Sequence, residues 1–182
     1  MSFSAKKLAL MGVLIALAIA LKLPILSVPN VEFFTFIVFS SGYLLGMIGG
    51  VVVGIISMSI YTSIITPYGL PPLPIALAQI LCMALIGFAG GWAFKFNMVS
   101  IDENSPSRLF VHYLVMGVFG LVLAIIYDLF TNLAFAFVIG QFLPVMIAAI
   151  PFSLIHVLSN ILIFVVFGPH LLMISKIQRG KI

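Results

Sequence analysis

The chain has 182 residues, 64% of them hydrophobic and only 7% charged, with a mean hydropathy of +1.37. A soluble domain of that composition could not cover itself with polar surface, so hydrocarbon must be the solvent for most of it, and a soluble enzyme domain is excluded. The net charge of +4 would suggest nucleic acid on a soluble protein, but here the basic residues flank apolar spans and report topology.

A spanning helix needs about 20 mostly apolar residues, so the chain has room for about six. We read one membrane domain over residues 1–182, an all-α bundle of six transmembrane helices. The first runs from Lys7 to Leu23. Lys6 and Lys7 before an apolar run ending in Ala18–Ala20 resemble a cleavable signal peptide, but the run continues past that point and an uncleaved first helix is expected. Pro24 and Pro29 then interrupt any helix. The second helix, from Phe33 to Leu45, is short for a full span and reads as tilted, broken or partly re-entrant. The third runs from Met47 to Ile65, and "TPYGLPPLP" follows as a turn-rich loop. The fourth covers Ile75 to Phe94, and "KFNMVSIDENSPSR" is the one strongly polar linker. The fifth runs from Leu109 to Val138, and the sixth follows Pro144 and ends before Lys176.

Six spans place both termini on one side. With that side cytoplasmic, Lys6, Lys7, Lys95, Arg108, Lys176, Arg179 and Lys181 lie inside and only Lys22 outside, a strong positive-inside pattern. The polar residues then gather toward the outer ends of the helices. Glu32 stands at the entrance to helix 2, Tyr61, Thr62 and Thr66 at the end of helix 3, and Gln79 one turn into helix 4. Asp128, Thr131 and Asn132 come late on helix 5. His156 and Asn160 on helix 6 fall roughly 18 to 24 Å below Pro144. A conduit would need polar groups along its whole length; a pocket open to one side needs them only there.

Ionisable groups inside a membrane are costly and mark functional sites by default. Asp128 and Asn132 share a helix face at spacing four, as do His156 and Asn160. The two pairs can converge on one solute. The plainer alternatives are that Asp128 pairs with Lys22 or caps a kinked helix, and that His156 is a satisfied core histidine. Glu32 reads either as a site group or as first-turn charge on helix 2 with Asn30 as its N-cap. Phe33, Phe34, Phe36 and Tyr68 read either as walls for a flat ligand or as interfacial anchors.

The absences narrow the choice. No phosphate-loop motif is present, no His/Cys set has zinc spacing, and no metal or cofactor is expected. Ser153 and His156 are three apart on one helix, a poor nucleophile and base pair, and the serine reads as a packing residue. Cys82, the single cysteine, reads as a small core residue. Gly12, Ala16 and Ala20 form a smooth stripe on helix 1, suited to another helix from inside or outside the chain. Gly46, Gly50 and Gly54 form a second stripe, read as internal packing of helix 3.

Six helices with cytoplasmic termini, an A-x-x-x-A helix 1 at Ala16 and Ala20, and an outward polar pocket resemble the substrate-binding S component of energy-coupling factor (ECF) transporters, over nearly the whole chain. "LPILSVPNVEFFTFIVFSSGYLLG", the Pro-Tyr-Gly and Pro-Pro elements of the loop before helix 4, "ALIGFAGG" and "YDLFTN" are similar to a branch that includes cobalamin transporters. That branch often has Gln where Glu32 stands, and tryptophans near the helix 3–4 loop that this chain lacks. The resemblance implies a prokaryotic cell-membrane protein that is not an enzyme. It implies docking of Gly12, Ala16 and Ala20 on a transmembrane coupling subunit driven by two ATPase subunits, with a vitamin-like substrate bound from outside, a lean toward cobalamin, and no nucleic acid. Substrate-site candidates are Asp128, Asn132, His156, Asn160, Gln79, Glu32 and Tyr68. The implied mechanism is toppling in the membrane on docking. The rival expectations are a standalone proton-coupled transporter and an intramembrane enzyme using Asp128 and His156.

Overall fold

A computed structural model describes residues 4–25, 30–65, 69–96, 98 and 106–178. Tyr68, Thr66, Pro29, Arg179 and Lys181 lie outside the described residues. Six α-helices follow one another: α1 Ala5–Lys22, α2 Phe34–Leu45, α3 Met47–Ile60, α4 Leu73–Lys95, α5 Pro106–Ile139 and α6 Phe142–Gln178. Among the described residues, four stretches are long and apolar enough to cross a membrane: Met47–Ile65, Leu73–Lys95, Phe110–Ile139 and Phe142–Ser175. The composition supports a multi-pass membrane protein in the same way. Large apolar side chains point outward along whole faces, such as Leu77, Leu81, Leu85 and Phe88 on α4 and Leu154, Leu158 and Leu162 on α6. Such faces suit hydrocarbon, where an aqueous surface would be penalised.

The helix starts and stops have local causes. Ser4 caps α1 by accepting from the backbone N–H of Lys7 at 3.4 Å. Pro24 falls in a 3-10 turn that ends the α1 path at Leu23–Ile25. Gly46 separates α2 from α3 with φ of +87°, a conformation that L side chains rarely adopt, and the chain reverses there. α3 loosens into a π-helical turn over Tyr61–Ile65, which turns Tyr61 and Thr62 toward the neighbouring helices. Gly140, with φ of +74°, closes the turn between α5 and α6.

α2 is the hub. Almost every residue from Phe34 to Leu45 is buried. It packs against α1, α3, α4, α5 and α6. The short second segment is therefore a central helix enclosed by protein, the condition under which a short element is tolerated at membrane depth. Glycines set its spacing. A Cβ on Gly42 would land on the carbonyl oxygen of Gly87, and one on Gly50 would strike the same carbonyl and Gly42 itself. Gly54 lies against the backbone of Met83. The Gly50 and Gly54 part of the expected α3 stripe thus packs internally, while Gly46 serves the turn. Beside this contact, Phe36 meets Phe164 at 5.2 Å, and Phe39 meets Phe119 at 5.0 Å and Phe164 at 5.2 Å.

α1 packs on one side only, through Met11, Leu14 and Ala18. Gly12, Ala16 and Ala20 are exposed, and a Cβ on Gly12 would meet nothing. The smooth stripe is left free of internal packing.

α5 and α6 form an antiparallel hairpin. At 34 and 37 residues they extend about 51 and 56 Å, well past the roughly 30 Å hydrocarbon thickness. Their close approach is set where Gly120 lies against the backbone of Asn160, 2.7 Å from where its Cβ would be.

Candidate functional site

From the Gly120–Asn160 contact, two turns along α5 lead to Asp128 and one turn back along α6 leads to His156. Nδ1 of His156 lies 2.7 Å from Oδ1 of Asp128. His156 is 2% exposed, and the ring of Tyr127 meets it edge-on at 5.7 Å. Its other nitrogen, Nε2, faces Oε1 of Glu32 at 3.8 Å. Glu32 in turn binds the ammonium of Lys22 at the end of α1. That ammonium sits over the rings of Tyr61 at 4.4 Å and Phe34 at 5.4 Å. Four groups from α1, α5, α6 and the α1–α2 connection therefore form a continuous line: Lys22, Glu32, His156, Asp128. Burial favours the neutral form of Glu32, but the charges of Lys22 and His156 and the bond from Lys22 outweigh it and hold the carboxyl below its ordinary range.

This line forms one side of a cavity of about 600 Å³. Gln79 on α4, Asn132 on α5, and Tyr61 and Thr62 on the π turn of α3 also border it. The segment Gly69–Pro72 borders one edge, and Phe135 and Phe152 of the overhanging hairpin border another. The size falls within the usual range for small-molecule sites. Asp128, Asn132, Gln79, His156 and Glu32 thus come together as the sequence predicts.

Asn160 does not join them. It is fully buried, its amide donates to the backbone carbonyl of His156 at 3.1 Å, and it belongs to the α5–α6 packing contact one turn away. Spacing of four aligned it with His156 on one helix face, but the closer approach of α5 at Gly120 enclosed it. Tyr68 lies outside the described residues. The aromatic wall is also different. Phe34 and Phe36 are buried in the core and Phe33 meets Phe167 edge-on at 5.3 Å, so none of the three borders the cavity. Asn30 is not the cap of α2: Phe33 holds that position, while the Asn30 carbonyl accepts from Ser159 Oγ at 3.0 Å. Asp128 does not pair with Lys22; Glu32 takes that partner.

Lys22 and Tyr127 were missed as site residues. In the sequence, Lys22 reads only as the single basic residue on the outer side or as a partner for Asp128. Its signal was the acid ten residues later, across a short connection that brings α1 and α2 side by side. Tyr127 carried no signal beyond standing next to Asp128.

Among the described residues no group of three or more His, Cys, Asp or Glu side chains is placed to hold a metal ion. Nε2 of His156, 3.8 Å from Glu32 Oε1, forms no hydrogen bond within the protein. The arrangement is suited to holding a polar solute by hydrogen bonds and charge.

No protein-family model, curated protein or solved structure matches the chain.

Proposed function

We propose that this chain is the substrate-binding membrane subunit of an ECF-type importer, capturing a vitamin or related micronutrient from outside the cell. The observation that carries the reading is the one-ended polar cavity. Its polar lining stops at the Lys22–Glu32–His156–Asp128 line, and the aromatic and glycine-packed core lies beyond. Lys6 and Lys7 begin α1 and Lys95 ends α4, at the end of the bundle away from the cavity. The positive-inside rule then orients the cavity outward, with both termini cytoplasmic. The exposed stripe of Gly12, Ala16 and Ala20 supports docking on a separate coupling subunit driven by two ATPase subunits. Within the vitamin class, the resemblance of the helix 2 stretch gives a lean toward cobalamin.

Mass spectrometry of the molecule that co-purifies with the protein would supply a substrate. That substrate should accumulate in liposomes only when the coupling subunit, the ATPase subunits and ATP are all present. A second reading, a standalone proton-coupled transporter, is favoured by the Glu32–His156–Asp128 line, which could pass a proton. Accumulation by the chain alone under a proton gradient would establish that reading and reject the importer subunit.

A further inference from the structure

The hydrogen-bond inventory of the cavity is lopsided. Several of its donors are occupied within the protein. The Lys22 ammonium is bound to Glu32. The Thr62 hydroxyl donates to the Met58 carbonyl at 2.8 Å, and the Thr131 hydroxyl to the Tyr127 carbonyl at 2.8 Å. Three buried atoms of the lining side chains lack a partner: Nε2 of His156 and two acceptors, Oδ2 of Asp128 on α5 and Oε1 of Gln79 on α4. A buried acceptor left unmatched carries a desolvation penalty, which a ligand donor would relieve. The formal charges point the same way. Lys22 is bound to Glu32 and His156 lies 2.7 Å from Asp128, so among the described residues no cation of the lining stands without an acid beside it. The tyrosine hydroxyls and Asn132 can either give or accept, and so do not reverse the balance.

We propose that the cavity selects its solute by N–H donors: it takes a neutral or cationic molecule bearing amide or amine groups and rejects carboxylates and phosphates. The donors bridge Asp128 Oδ2 and Gln79 Oε1, from α5 to α4. An anionic solute would face two carboxylates and an ammonium already neutralised. This rests on the reading of the cavity as a solute site, and holds whichever energy source drives uptake.

The test uses the purified full-length protein, washed free of co-purified solute, and pairs of probes that share a ring and differ in one group. Nicotinamide against nicotinate and 4-aminopyrimidine against pyrimidine-4-carboxylate serve, with the thermal transition read over a concentration series. The amide and amine members should raise the transition at concentrations at least about tenfold lower than the acids, as expected for a hydrogen bond to a charged acceptor. Asp128→Asn, which places an NH2 group at the acceptor position, should abolish that preference. Gln79→Glu keeps an acceptor there and should tighten binding of the cationic probe 1-methylnicotinamide, methylated on its ring nitrogen, while retaining the amide preference. Equal or better binding of the acids, no response to any amide or amine, or an undiminished preference in Asp128→Asn would overturn the proposal. Amide preference without ATP-dependent uptake would reject the importer reading and leave this one standing. ATP-dependent uptake of an anionic solute would do the reverse.

Discussion

At the scale of single residues, the Lys22–Glu32 pair is the most exposed to test. Both partners are largely buried, and the ammonium also rests on two aromatic rings. Removing one partner leaves an uncompensated buried charge, whereas removing both leaves a packing defect alone. Lys22→Met should therefore destabilise the protein by about 3–5 kcal/mol, while Lys22→Met with Glu32→Gln should recover most of the loss. Chemical denaturation of the three proteins in one detergent checks this; a double variant as weak as the single would show that the charge was not the cause. The pH dependence has a defined sign. Glu32 titrates lower in the fold than in the unfolded chain, so its contribution is present above the ordinary carboxylate range. It is lost as the pH falls through the lowered value, and Glu32→Gln should flatten the acid limb of stability.

At the scale of helices, glycine does two different jobs in this chain. Gly42, Gly50 and Gly87 let three helices touch through their backbones, with no space for a methyl group. Gly12 faces open surroundings. Gly87→Ala should cost at least about 1–3 kcal/mol, since the neighbouring atom is a carbonyl that cannot swing aside. Gly12→Ala should leave stability unchanged or raise it by up to about 1 kcal/mol, because alanine restricts the unfolded chain without meeting a neighbour. Thermal unfolding of both variants separates the two roles. Equal losses would mean that the α1 face is packed after all. The two stripes look alike in sequence, each with small residues four apart. Only the fold distinguishes the one that is buried from the one left bare.

At the scale of the whole molecule, the cavity and the bare stripe are different surfaces, so binding and coupling should separate. Under the importer reading, Ala16→Leu or Ala20→Leu should reduce ATP-driven uptake by tenfold or more, on the order of 1.4 kcal/mol or more of lost docking free energy. Retention of the co-purified solute should not change. If solute retention falls with uptake, the stripe supports the cavity and the importer reading loses its docking surface. Few charges lie on the outward faces of the central helices, which is compatible with a subunit that changes tilt in lipid, where each displaced charge would cost several kcal/mol.

Much of this was legible from composition and spacing. Long apolar runs broken by proline and glycine specify helices wherever water cannot satisfy the backbone, and the boundaries of α1, α2 and α4 fall within two residues of the sequence reading, while the third span reaches Ile65 only with its π-helical turn. Charges that hydrocarbon would penalise had to gather at one place, so Asp128, Glu32, Gln79 and His156 could be named as neighbours before their geometry was known. Pairing was not legible. Whether Lys22 takes Glu32 or Asp128, and whether Asn160 faces a solute or a helix, depends on how closely helices approach. Backbone contacts at Gly42–Gly87 and Gly120–Asn160, distant in sequence from the site, set that approach. The sequence by itself determined a helical membrane bundle with its polar groups toward one end. The tertiary structure alone decided which groups neutralise one another and which acceptors are left for a ligand, because those outcomes turn on ångström-scale distances between helices that no local pattern encodes.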